Sequence, residues 1–186
     1  MPLTDLLRGR RSIKKFTGRP VTRAEIETLL DAAILAPNHR LTEPWRFYVL
    51  GPDAREAYGR ALGVRKAKKI EDPEASRAMR DRVAAEHRAL PAMIAIAVVK
   101  SDNPETAEED YAAAMMGVQN IMLAAVELGL GTAIRTGGVM GDDAARTAAG
   151  VAENERIVAI VNVGEPAEVP AGPRKTPASE YTRWIP

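Results

Sequence analysis

The sequence predicts one soluble domain that mixes amphipathic helices with short buried strands, and three observations predict it. Thr22 and Glu25 make a T-x-x-E capping box ahead of Ile26, Leu29, Leu30, Ala33 and Ile34, which share one helical face. Ala92 to Val99 is a continuous apolar run rich in Ile and Val, and Pro91 and Ser101-Asp102-Asn103-Pro104 hold it to strand length. A chain of 186 residues, 46% hydrophobic and 27% charged, has the composition of a single globular domain. At that size folding buries roughly 70% of the unfolded chain's surface, so a core forms without disulfides or structural metal.

The elements follow in chain order. Thr4 is placed to cap a first helix carrying Leu6 and Leu7, which runs into the basic stretch Arg8-Gly9-Arg10-Arg11-Ser12-Ile13-Lys14-Lys15-Phe16. The helix after the capping box stops at Pro37, and the loop from Ala36 to Pro44 is bracketed by two prolines. Trp45 to Leu50 reads as a strand ended by Gly51-Pro52, which sets Asn38 to Arg40 at a strand mouth. Asp53 to Leu62 is helical, Lys66 to Lys69 is a mobile cationic link, and Asp72-Pro73-Glu74 starts a helix ending near Leu90. A long helix spans about Thr106 to Leu128 with Gly129 after its end. From Ala112 to Val126 it is apolar on nearly every face, which requires burial on both sides. Thr132 to Thr136 is a short strand, Asp142 to Ala149 a short helix closed by Gly150, and Arg156 to Val163 a strand. The proline-rich tail after Gly164 keeps Tyr181, Trp184 and Ile185, so it reads as an ordered arm.

Composition removes several chemistries. No Cys and only two His, far apart in sequence, leave no thiolate nucleophile, iron–sulfur cluster or zinc spacing, so any redox chemistry comes from a cofactor. A net charge of +1 offers no field for nucleic acid or anionic membrane, and the few aromatics cannot build a base-stacking platform. The basic amino terminus has no apolar run of signal-peptide type, and the longest apolar stretch, Leu90 to Val99, falls short of the ~18 residues of a membrane span. A cytoplasmic protein is expected. Hydrolase elbow, zincin, EF-hand and P-loop motifs are missing, and Gly129-Leu130-Gly131 follows a helix where a dinucleotide fingerprint follows a strand.

The basic stretch carries the most chemistry. In extended backbone Arg10, Ser12 and Lys14 point to one side and offer a guanidinium, a hydroxyl and an ammonium to one anion, as a phosphate monoester requires. The competing reading is a solvated helix end whose cations answer the macrodipole. Asn120 on the long helix is placed to hydrogen-bond the sheet, and Met115 and Met116 read as core or interface filler.

In order along the chain stand Arg10-Arg11-Ser12-Ile13-Lys14-Lys15-Phe16, Ala36-Pro37-Asn38-His39 with Pro44-Trp45-Arg46-Phe47, Gln119-Asn120, Leu128-Gly129-Leu130-Gly131-Thr132, Val163-Gly164-Glu165-Pro166 and Pro173-Arg174-Lys175. This set resembles the nitroreductase family of FMN-dependent oxidoreductases, most of all its small YdjA-type members, from about residue 5 to the carboxyl terminus. The resemblance implies an α+β fold, a central mostly antiparallel mixed sheet flanked by helices, in a homodimer with two FMN at the interface. Residues 1–164 would form the FMN-binding domain and 165–186 an arm swapped onto the partner. It implies FMN contacts from Arg10, Arg11 and Ser12 at the phosphate and ribityl chain, and from Lys14 at the pyrimidine edge. Leu35 and His39 would line the site, His39 from the other subunit. Ile134, Arg135, Thr136 and Gly137 would lie on one flavin face, and Arg174 and Lys175 would close on the phosphate. No side chain is needed as acid or base; NADH or NADPH would reduce the flavin, and a nitroaromatic, quinone or other small electrophile would reoxidise it. A flavin-storage protein, a relative with other flavin chemistry (dehalogenation or flavin fragmentation), and an anion-binding module without flavin are the alternatives.

Overall fold

A computed structural model describes residues 2–172 and 175–186. The capping box at Thr22 and Glu25 is present in both directions and opens helix α2 (Arg23–Ile34), after α1 (Leu3–Gly9). Strand β1 (Trp45–Val49) leads to the hairpin of α3 (Pro52–Ala67) and α4 (Pro73–Arg88), the latter capped by Asp72, whose carboxylate accepts from Ala75 N. Strand β2 (Ala92–Val99) is followed by α5 (Pro104–Glu127), β3 (Gly131–Arg135), α6 (Asp143–Ala149) and β4 (Glu155–Gly164). Asn103 caps α5 through Glu105 N and Thr106 N. At its other end Leu130 N donates to Ala125 O and Gly129 N to Val126 O, a Schellman closure around Gly129 at φ 72°.

The four strands form one antiparallel sheet in the order β1-β2-β4-β3. β2 and β4 are central and bury both faces, which is why their sequences are continuously apolar. On one face Ile94, Ile96, Val161 and Val163 pack with Leu29 of α2 and Val118 and Ile121 of α5. On the other, Met93, Ala95 and Ile160 pack with Tyr58 and Ala61 of α3 and Ala145 of α6. An α+β fold with an antiparallel sheet between helices is thus what the chain adopts.

Three expectations change. Thr4 does not cap α1: the helix starts at Leu3, two residues before a Thr4 cap would start it, with Asp5 N and Leu6 N both donating to Pro2 O. Lys66 to Lys69 is not a free link, because α3 continues through Ala67, which is buried. Asn120 bonds a helix and not the sheet, its Nδ2 donating to Ala32 O of α2 at 3.0 Å. Within one chain Ile121 and Ala125 of α5 are inaccessible, while Met116 is 42% exposed.

Candidate functional site

The segment after α1 is tied to the edge strand β3. Ile13 N donates to Thr132 O at 2.8 Å, Ser12 bridges Thr132, and further along Thr17 N bonds Glu165 O while Ala167 N bonds Lys15 O. Ile13 is buried beneath this segment, with Ser12 and Lys14 exposed on either side of it, as alternation in extended backbone requires over these three residues. Close approach to β3 depends on Gly131: a Cβ there would collide with the Ile13 side chain and press on Pro166. The basic stretch is therefore laid along the sheet by backbone bonds and one apolar anchor.

Two cavities open along it. The first, of about 840 Å³, is lined by Arg8, Arg10, Arg11, Ser12, Lys175 and the Pro170–Gly172 stretch, with no carboxylate in its wall among the described residues. Arg10 and Lys175 make no salt bridge among the described residues, whereas Lys15 meets Glu168 at 3.2 Å and Arg19 meets Glu25 at 2.9 Å. Arg11 closes the end of α1, its Nη1 donating to Arg8 O and Arg10 O at 2.5 and 2.8 Å. Its Nε is buried with no hydrogen-bond partner. A wall of donors lacking counter-charge suits an anion with several acceptor oxygens, and a phosphate monoester has that chemistry.

The second cavity, of about 670 Å³, lies under Lys14, Arg135 and Thr136, with Tyr58, Lys66 and His87 from the α3–α4 hairpin and an apolar lining that includes Leu62, Leu90 and Val139. Its size and its apolar floor with a few converging polar groups are those of a site for a planar ring system. Burial pushes the Tyr58 hydroxyl up to about 12, with Asp142 adding to the shift, so this hydroxyl stays protonated. Among the described residues no cluster of His, Asp and Glu could hold a metal.

The residues expected at the site thus divide. Arg10, Arg11, Ser12 and Lys175 line the first cavity; Lys14 lines the second, so it does not share one anion with Arg10 and Ser12. Arg135 and Thr136 join Lys14, while Ile134 turns onto the α5 face of the sheet. Gly137 begins the 3₁₀ turn Gly138–Gly141 at φ 143°, a conformation open to glycine and strained for other residues. Arg174 lies outside the described residues. Leu35 and His39 reach neither cavity of their own chain. His39 Nδ1 lies 2.8 Å from Glu109 Oε1, Arg40 Nε donates to the same carboxylate, and Thr42 donates to the buried Asp110, so the loop is pinned to α5. The His39 and Arg40 bonds draw the Glu109 carboxyl below its usual range. Tyr58, Lys66 and His87 were missed from sequence because no local motif marks them; the available signal was two helices in tandem, each with Pro in its first turn, whose residues meet Arg135 at the end of β3.

A family model described as the nitroreductase family matches residues 7–165. YfhC of Bacillus subtilis, whose name gives NAD(P)H nitroreductase as a provisional activity, is 33% identical over 175 residues, covering 94% of this chain and 90% of its own. YdjA of Escherichia coli, provisionally named in the same way, is 26% identical over 166 residues, 89% of each chain. A nitroreductase-like protein from Bacillus cereus superposes with a TM-score of 0.85 at 28% identity, over 100% of this chain and 96% of its own. A structure from Desulfovibrio desulfuricans, solved in complex with FMN, superposes with a TM-score of 0.75 at 24% identity, over 100% of this chain and 98% of its own.

Proposed function

The chain belongs to the nitroreductase family, and from that premise we propose that it is an FMN-dependent NAD(P)H oxidoreductase acting on nitroaromatics, quinones or other small electrophiles. One observation carries the reading: among the described residues, a single extended segment presents cations without ion pairs, Arg10 first to a cavity with no carboxylate in its wall and then Lys14 to a ring-sized one. The chemistry supplied by bound FMN is ping-pong hydride transfer, from NAD(P)H to N5 and from there to the acceptor.

The chain's own residues bind and polarise. Arg10, Ser12 and Lys175 hold the phosphate, and Arg11 fixes the end of α1 beside them. Lys14 brings a fixed positive charge to the ring cavity, where it favours electron density at the pyrimidine edge. The apolar lining of Leu62, Leu90 and Val139 keeps water from that side of the ring. Leu35 and His39, which reach neither cavity of their own chain, serve those of a second subunit in a homodimer, and the end of the arm, with Trp184 and Ile185, packs on that subunit, whereas residues 165–172 stay bonded to their own chain. In support, Leu35, Trp184 and Ile185 are 80%, 91% and 84% exposed in the single chain.

The purified protein is expected to be yellow, with absorbance at about 450 nm that bleaches anaerobically on addition of NAD(P)H. Steady NADPH oxidation with menadione or nitrofurazone separates an enzyme from a storage protein. A colourless chain that gains no such absorbance when mixed with FMN overturns the reading in favour of a flavin-free anion-binding module.

A further inference from the structure

The ring cavity contains a side chain that hydride transfer leaves unused. His87 stands in the last turn of α4, and its Nδ1 lies 2.8 Å from Val83 O. A carbonyl only accepts, so Nδ1 carries the hydrogen and Nε2 of the neutral ring is a bare acceptor. The imidazole is held in place from α3: a Cβ on Gly59 would sit 2.7 Å from His87 Cβ, and the Tyr58 ring centroid is 6.3 Å away. Burial holds the His87 pKa down, and the nearby charges of Lys66 and Arg135 lower it further against the opposing pull of the Val83 bond and Glu86. At neutral pH the ring is uncharged.

Of the other charged and polar groups of the cavity, the three cations only donate, while the hydroxyls of Tyr58 and Thr136 can donate or accept. Lys66 and the Tyr58 hydroxyl come from α3, Arg135 from the end of β3 and Lys14 from the segment along it. Lysine and arginine cannot accept a hydrogen bond. Glu86, also on α4, is exposed and lies 3.8 Å from Arg82 on its own helix. The amide oxygen of Asn162, in the cavity wall, is closed off from solvent. The cavity therefore sets one fixed ring acceptor, His87 Nε2, among the donor-only cations Lys14, Lys66 and Arg135, a pattern complementary to an imide, in which one N–H stands between two carbonyls.

The isoalloxazine ring carries such an imide along its pyrimidine edge. We infer that His87 Nε2 accepts the imide N3–H of bound FMN, with Lys14 and Lys66 serving the flanking carbonyls, so that His87 selects for the intact imide. This assignment rests on the proposed flavin function.

The test is a titration of the full-length chain, freed of flavin by dialysis, with FMN and with N3-methyl-FMN, followed by flavin fluorescence. In the wild type the methylated ligand binds about tenfold or more weakly, because the acceptor loses its donor. His87→Leu weakens FMN by a similar factor and no longer distinguishes the two ligands; His87→Gln, which keeps an acceptor oxygen, retains the discrimination. On acidification through the His87 pKa the wild type loses more FMN affinity than His87→Leu, since imidazolium has no acceptor, and the difference cancels the titration of the FMN phosphate itself. Equal discrimination in wild type and His87→Leu overturns the assignment and leaves the flavin function standing. Failure of the wild type to bind FMN overturns both. If His87→Leu does not fold, loss of discrimination in a folded His87→Gln overturns it as well.

Discussion

Arg10 and Ser12 make no side-chain hydrogen bond or ion pair among the described residues, although Arg10 is half-buried. A partly desolvated guanidinium without a counter-ion is costly until an anion arrives, so these residues contribute to ligand binding far more than to folding. Replacing both by Ala is expected to weaken FMN retention by about 100-fold, two charge-assisted contacts at about 1.5 kcal/mol each, with little change in the melting temperature of the flavin-free protein. Flavin content after gel filtration reads the outcome, and undiminished occupancy in the double variant would remove the phosphate assignment. Arg11→Ala should behave in the opposite sense and lower the melting temperature, because its guanidinium closes α1 through Arg8 O and Arg10 O. The sequence showed the alternation of Arg10, Ser12 and Lys14 directly, since strand periodicity is local. It could not show that Ser12 and Lys14 open onto different cavities, because that depends on the α3–α4 hairpin and the Pro170–Gly172 stretch, both remote in sequence.

At the scale of elements, the capped helices were legible and the glycine-bearing one was not. Thr22 and Asp72 each satisfy orphan N–H groups within the next three residues, a pattern written in neighbouring positions, whereas Asn103 starts α5 two residues before the expected Thr106. Helix α3 outran its expected end at Leu62 because Gly63 resembles a terminator. Here it is a contact, where a Cβ would stand 2.8 Å from Arg80 Cα of α4. The cap of α2 has a pH signature. The hydrogen bond from Arg19, followed by that from Thr22 N, lowers the Glu25 carboxyl to about 2. A carboxyl depressed in the folded state stabilises above its unfolded pKa of about 4.3, and that stabilisation is lost as pH falls towards the folded value. Urea unfolding of wild type and Glu25→Gln should therefore differ at pH 6 and converge near pH 2; a constant gap across that range contradicts the ionic cap. Gly131→Ala tests the docking of the basic segment onto β3. The new methyl collides with Ile13, and overpacking of this kind costs about 1–3 kcal/mol. The variant should melt earlier and also lose flavin, since Ser12 and Lys14 ride on the displaced backbone, whereas full flavin occupancy in a destabilised variant would separate the segment from the site.

At the scale of the molecule, one chain is a folded domain with an unfinished surface. Its sheet is covered on both faces, yet α5 leaves Met116 and Tyr111 exposed, and Leu35, Leu41, Trp184 and Ile185 stand almost wholly in water. Scattered apolar residues are ordinary on a surface, but Leu35, Leu41 and Met116 belong to α2's end, its following loop and α5, elements already joined by the Glu109 and Asp110 bonds. The apolar circumference of α5 was readable in sequence; what covers its second face was not, because a twofold partner leaves no local signature beyond surplus hydrophobicity. An isologous interface through this face would bring each copy's Leu35 and His39 loop toward the other and would present Met116 twice. Met116→Glu then places two carboxylates in one apolar interface, each costly to desolvate without a partner. Light scattering during gel filtration should show the wild type as a dimer and the variant shifted to monomer at micromolar concentration, with far-ultraviolet circular dichroism unchanged because Met116 lies outside the single-chain core. Flavin content should fall with the dimer if the second subunit completes each site. A variant that stays dimeric and fully flavinylated by weight would move the interface off α5, and a monomer that keeps its FMN would show that Arg10, Ser12, Lys14 and Lys175 hold the cofactor without help from a second copy.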